Sequence, residues 1–207
     1  MLHVEAADAA VSQADGACAA PAARRIELDE VRLLGRVAAG ELRAFEQLYR
    51  AYYPRLASFL GRVLRRPNIV EEVLNDTMFV VWRRADTYNG NSKVSTWIFA
   101  IAYRKALKAL QRLDEPVDDE LVEQQADSGP GPEAQVNLWQ LREALGKALD
   151  ELPAGQRAVV NLTYFHGMGY QEIAQVVSCP VGTVKTRMFH ARKRLQALLA
   201  ADLKDLL

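Results

Sequence analysis

The sequence predicts an all-α protein: two small helical domains joined by an acidic flexible linker, the second domain carrying a helix-turn-helix. Three observations predict this. Apolar residues recur at three- and four-residue spacing along most of the chain, and no segment alternates as a strand would. Residues 114–135, "DEPVDDELVEQQADSGPGPEAQ", hold eight acidic residues and no basic one, with only Val117, Leu121 and Val122 as sizeable apolar side chains. Such a stretch buries too little surface to fold alone and marks a domain boundary. Finally, "YQEIAQVV" is a short helical pattern that the tight turn "SCPVG" leads into the long basic one, "TVKTRMFHARKRL".

Taken in order, residues 1–25 are Ala-rich and unpatterned, which predicts a disordered tail. They lack a basic start and a compact apolar run, so they read poorly as a signal peptide. The first domain spans 26–113. "LDEVRLLGRVAAG" predicts a short helix, with Asp29 and Glu30 at its positive end and Gly40 as the stop. "ELRAFEQLYRAYYPRLASFLGRVLRR" continues the pattern, and Pro54 predicts a kink or break within it. Pro67 and Asn68 punctuate before the helix "IVEEVLNDTMFVVWRRAD". "TYNGNSK" is turn chemistry, and "VSTWIFAIAYRKALKALQRL" is the next helix. After the linker at 114–135, the second domain, 136–207, shows four helical patterns, about 136–151, 154–165, 170–177 and 181–200.

The chain has no net charge, with 26 basic and 26 acidic residues, but the charge is unevenly spread. Residues 36–113 carry an excess of basic over acidic residues, as do 136–207, and the linker between them is wholly acidic. Two basic blocks around an acidic strap point to a polyanionic partner.

The last helix sharpens that reading. Val181, Val184, Met188, Ala191, Leu195 and Leu198 form one apolar face. Opposite lie Thr186, Phe189, His190 and Lys193, with Thr183 beside them; Arg187 and Arg194 flank on one side, Lys185 and Arg192 on the other. An aromatic on that outer face calls for a second contact. A helix of this kind after a short turn fits the major groove, where side chains reach base edges and Lys and Arg hold phosphates. A second outward aromatic occurs in "IVEEVLNDTMFVVWRR". There Val70, Val73, Leu74, Thr77, Met78 and Val81 make the buried stripe, and Glu72, Asn75, Asp76, Phe79 and Arg83 lie opposite. An aromatic anchor with a polar rim predicts a protein partner. In the helix from Val94, Trp97, Ile101, Arg104, Lys105, Lys108 and Arg112 share one side, a basic stripe suited to phosphates.

"ELPAGQRAVVNLTYFHGMGYQEIAQVVSCPVGTVKTRMFHARKRLQALL" resembles the C-terminal promoter-reading domain of bacterial sigma factors of the extracytoplasmic-function (ECF) group. "NIVEEVLNDTMFVVWRRADTYNGNSKVSTWIFAIAYRKALKALQR" resembles their N-terminal conserved domain. The resemblance implies a sigma factor that binds core RNA polymerase and directs promoter-specific initiation. It implies duplex reading at the −35 element by Thr186, Phe189 and His190, with Lys185 and Arg187 on nearby bases or phosphates, among the outer-face set Thr183, Lys193 and Arg194. It makes Glu72, Asn75, Asp76, Phe79 and Arg83 the docking surface for the clamp coiled coil of the polymerase's largest subunit. It makes the loop from Tyr88 to Lys93 a pocket for an unstacked −10 base, with Tyr88 to stack and Asn89 and Asn91 to hydrogen-bond. Trp97, Arg104, Lys105, Lys108 and Arg112 follow on that −10 surface. Two positions depart from the group's habit: His190 stands where Arg is common and Thr186 where Ser is common, which bears on promoter sequence rather than on role. An anti-sigma protein is a further possible partner. The acidic linker would thread the polymerase channel as a nucleic-acid mimic, or serve only as a solvated spacer.

A helix-turn-helix regulator that is no sigma subunit is the alternative, but it would carry a receiver or ligand domain in its N-terminal half. An enzyme is not expected: His3, His166 and His190 are scattered, and no Gly-rich phosphate loop occurs. Cys18 and Cys179 sit in unrelated settings, which predicts neither disulfide nor metal site, and no cofactor is expected. Cys179 at the turn reads as a small buried residue rather than a redox sensor. With no apolar run long enough to span a bilayer, no membrane insertion and a cytoplasmic location are expected.

Overall fold

The computed structural model describes residues 21–113 and 143–204, with side chains over 25–112 and 143–200. The tail before residue 21 and the acidic linker lie outside the described residues. Eight α-helices are described, α1 (Pro21–Ala38), α2 (Leu42–Leu64), α3 (Pro67–Arg84), α4 (Val94–Leu113), α5 (143–150), α6 (Ala154–Tyr164), α7 (Tyr170–Val176) and α8 (Val181–Lys204), with a single 3₁₀ turn at Ala85–Thr87. Among the described residues there is no strand.

The helices form where the apolar spacing puts them. In α2, Ala44, Leu48, Tyr52, Leu56, Leu60 and Val63 fall on one seam, and all are fully buried. The helix ends in a left-handed cap, Arg65 at φ 57, whose N–H donates to the Gly61 carbonyl. Pro67 then opens α3, where its missing N–H is harmless. Gly40, at φ +85, makes the turn between α1 and α2 that a side chain would strain.

Three expectations are corrected. α1 begins at Pro21 rather than after residue 25, so residues 21–25 are helical and Asp29 and Glu30 sit in its middle. Glu30 there pairs with Arg55 of α2 at 3.5 Å instead of capping an end. α2 runs unbroken through Pro54. Pro54 is exposed, so water can serve the carbonyl that its missing N–H leaves free. Ile101 does not share the exposed basic side of α4; it is 6% exposed, and α4 is buried nearly all round from Ile98 to Tyr103.

That last correction has a tertiary cause. The halves on either side of the linker pack together, α4 against α7 and α2 against α6, and one continuous apolar core runs through both. Phe59 and Phe99 of the first half enclose His166 of the second, with ring centroids 6.0 and 4.7 Å away. Arg157, 7% exposed, donates to the Val63 carbonyl at 3.1 Å and to the Asp150 carbonyl at 3.0 Å. Arg65 pairs with Asp150 at 3.4 Å, and the Arg62 guanidinium lies 3.5 Å from the Phe165 ring centroid.

Candidate nucleic-acid and protein interfaces

α7, a short turn and α8 form the helix-turn-helix. Glu172 accepts a hydrogen bond from the Gly169 N–H at 3.0 Å, satisfying the start of α7. At its other end Ser178 adopts φ 53 and the Cys179 N–H returns to the Ala174 carbonyl at 3.1 Å, which turns the chain within the four residues 177–180. α8 then buries Val184, Met188 and Ala191, as the spacing requires. Its outer face presents Phe189, 59% exposed, edge-on to His190 with ring centroids 5.5 Å apart. Thr186 is exposed, its hydroxyl donating to the Gly182 carbonyl at 3.0 Å. Lys185, Lys193 and Arg194 are exposed beside them, and Thr183 is half-buried.

Arg187 departs from its neighbours. It is half-buried, its Nη1 is 3.9 Å from the Cys179 Sγ, and its guanidinium carbon lies 3.4 Å from where a β-carbon on Gly155 would stand. It also faces Tyr103 of α4, whose hydroxyl burial pushes up in pKa while the Arg187 charge opposes that rise. Arg187 is thus aimed at the seam between the halves rather than at the outer face.

On α3 Val73, Leu74, Thr77, Met78 and Val81 are buried as expected while Val70 is only half-buried, and Phe79 stands 62% exposed with Glu72, Asn75, Asp76 and Arg83 around it. Two of these side chains are already engaged. The Tyr49 hydroxyl of α2 donates to Asn75 at 2.9 Å, and Asp76 pairs with Lys105 of α4 at 2.9 Å. The face therefore continues onto α2 through Tyr49 and Tyr53, whose rings lie 5.7 Å apart.

The loop after the 3₁₀ turn brings Tyr88, Asn89, Asn91 and Lys93 together. Gly90 turns it at φ +75, and the Asn89 side-chain oxygen accepts from the Asn91 N–H at 3.1 Å. Tyr88 is half-buried, donates to the Ser92 carbonyl and meets the Trp97 ring at 5.8 Å, edge to face. Trp97 is itself half-buried. Arg104, Lys108 and Arg112 are exposed in a row along α4. Lys93 pairs with Glu172 of α7 at 2.8 Å, and that hydrogen-bonded carboxylate holds the ammonium above its usual pKa against the opposing cost of burial.

Glu172, His166, Tyr49 and Gly155 escaped the sequence reading. Each acts through a partner distant in sequence, and no local periodicity signals such a contact. Among the described residues no cluster of His, Cys, Asp and Glu is placed to hold a metal, and no helix is long and apolar enough to cross a membrane.

Comparison with known proteins identifies the family. The family description "Sigma-70 region 2" matches residues 48–115, and "Sigma-70, region 4" matches residues 142–195. The ECF RNA polymerase sigma-E factor of Haemophilus influenzae is 28% identical over 180 residues, covering 82% of this chain and 95% of that protein. Among solved structures, CnrH in complex with the cytosolic domain of CnrY is 28% identical, covers 83% of this chain and 97% of that one, and gives a TM-score of 0.60. The fold is shared with the sigma factor RpoE of Bartonella quintana, solved with the anti-sigma factor NepR, at 24% identity over 78% of this chain and 99% of that one and a TM-score of 0.61. The chain belongs to the sigma-70 family, within its extracytoplasmic-function group.

Proposed function

We propose that this chain is the promoter-specificity subunit of a bacterial RNA polymerase, docking on the clamp coiled coil of the largest subunit through α3 and reading −35 duplex through α8. The observation that carries this is the pair of exposed aromatics in one chain. Phe79 sits in a polar, partly acidic rim and Phe189 in a basic one. A protein partner suits the first frame and a phosphate backbone the second. In this reading Thr186, Phe189 and His190 contact bases while Lys185, Lys193 and Arg194 hold phosphates. The loop Tyr88–Lys93 receives an unstacked −10 base, and Trp97, Arg104, Lys105, Lys108 and Arg112 line the path of the opened strand.

The described arrangement is then a closed one. Elements centred about 25 base pairs apart, at ~3.4 Å each, lie about 85 Å apart on straight duplex. Here Lys93 of the −10 loop touches Glu172 of the helix-turn-helix at 2.8 Å. Reading both elements requires the halves to separate, which frees Lys93 and Arg187 for DNA. A restraining anti-sigma protein is a further proposed partner; the sigma factor RpoE was solved in complex with the anti-sigma factor NepR.

The test is run-off transcription with sigma-free core polymerase and a pool of promoters from the source genome. Phe79→Ala is expected to lose core binding and the Thr186/Phe189/His190 triple alanine variant to lose promoter choice while still binding core. DNA binding without any core binding by the unaltered chain would refute the sigma reading and leave the helix-turn-helix regulator.

A further inference from the structure

Lys93 is the cation of the −10 loop, and the other half of the chain supplies its anion. The Lys93 Nζ lies 2.8 Å from Oε1 of Glu172, while Oε2 of Glu172 accepts from the Gly169 N–H at 3.0 Å. One carboxylate therefore both caps α7 and clasps the seam. Two carboxylates act on Lys93: Glu27 of α1 only through space, and Glu172 through a hydrogen bond as well. The other polar seam contacts, Arg65 with Asp150 and Arg157 with the Val63 carbonyl, use none of the residues assigned to the −10 strand. A separation of 2.8 Å suits an ammonium on a phosphate oxygen as well as on a carboxylate. A strand phosphate and Glu172 sharing that ammonium would stand within about 6 Å of one another, where like charges repel.

We propose that Glu172 stands in for a backbone phosphate of the −10 single strand at Lys93, so that the strand and the closed arrangement compete for one cation. Strand binding displaces Glu172 and shifts the halves towards separation. By linkage, closure weakens strand binding by the same factor. The pair is partly exposed, 49% at the Lys93 side chain and 24% at Glu172, which sets the scale of the competition at about twofold to fivefold. This rests on the −10 reading above and adds what restrains that loop in the free chain.

The probe is a short random-sequence DNA single strand, titrated into the full chain at low salt. Glu172→Gln keeps an oxygen for the Gly169 N–H and removes the charge; it should bind the strand about threefold tighter than the unaltered chain. Glu27→Gln removes an equal charge near Lys93 without crossing the seam, and its smaller gain measures the general electrostatic effect. In a Lys93→Ala background the gain from Glu172→Gln should fall to that of this control. A second arm reads energy transfer between one dye on each half of the otherwise unaltered chain, and added strand should lower it. Equal gains from the two Gln variants overturn the proposal, as does a gain that persists without Lys93. Strand binding with unchanged transfer overturns it too, and that arm stands even if Glu172→Gln fails to fold. Arg104→Ala separates the two ways of failing. If it weakens strand binding, the −10 reading survives the loss of the competition; if it does not, or if no form binds the strand, both fall.

Discussion

His166 provides a sharp test of how the halves are held together. Its ring lies between Phe59 and Phe99, its Nε2 is buried without a partner, and Arg55 and Arg62 are its cationic neighbours. Burial first, then those two guanidiniums, lower its pKa from 6.5 to about 4. The sign follows from proton binding. Above about pH 6.5 the ring is neutral in folded and unfolded chains alike, so it imposes no penalty. As pH falls from there towards 4, the unfolded chain takes up a proton that the folded chain refuses, and stability drops; below 4 the loss is complete. At about 1.4 kcal/mol per unit, the loss by about pH 4.5 is at most about 2.5 kcal/mol, and about 1–2 kcal/mol once solvent access to the half-buried ring is allowed for. The substitution His166→Phe keeps an aromatic between the two rings and removes the titration. Urea unfolding of both proteins from about pH 7.5 to about pH 4.5 measures the difference, in which the shared carboxylates cancel. The unaltered chain should lose that increment relative to the variant, over this window and not above it. Parallel pH profiles would refute the reasoning.

Arg157→Met should lower unfolding free energy by about 2 kcal/mol in urea titrations, because it leaves the buried Val63 carbonyl without a donor while Arg65 still serves the Asp150 carbonyl. Ser178→Gly should raise the melting temperature, gaining about 0.5–1 kcal/mol, since Ser178 holds a left-handed conformation at φ 53 that costs a side chain energy. A lower melting temperature would mean that the Ser178 side chain contributes more than the backbone strain costs. Lys193→Ala should weaken binding to −35 duplex similarly across sequences and cut the slope of log affinity against log salt by about 0.9. An unchanged slope would place Lys193 away from the phosphates.

The two outward faces were legible in the sequence because a helix imposes its period on its own residues. Val184, Met188 and Ala191 on one side of α8 leave Thr186, Phe189 and His190 on the other, and the structure keeps that division. The same rule placed Phe79 opposite Val73, Leu74, Thr77, Met78 and Val81. It failed at Ile101, where a helix amphipathic by sequence is covered on a second side by α7. It failed also at Pro54, where an exposed carbonyl let a broken pattern continue as one helix.

Local chemistry by itself determined the all-helical class, the turn into α8 and the composition of both candidate faces, since each depends on residues within a few positions of one another. Only the tertiary structure decided which members of those faces are free. Lys93 is held by Glu172, Lys105 by Asp76, and Arg187 is drawn into the seam beside Tyr103, Cys179 and Gly155. Apart from the Arg187–Cys179 contact, these pairings join residues tens of positions apart, and a sequence specifies such contacts only through the packing of whole helices.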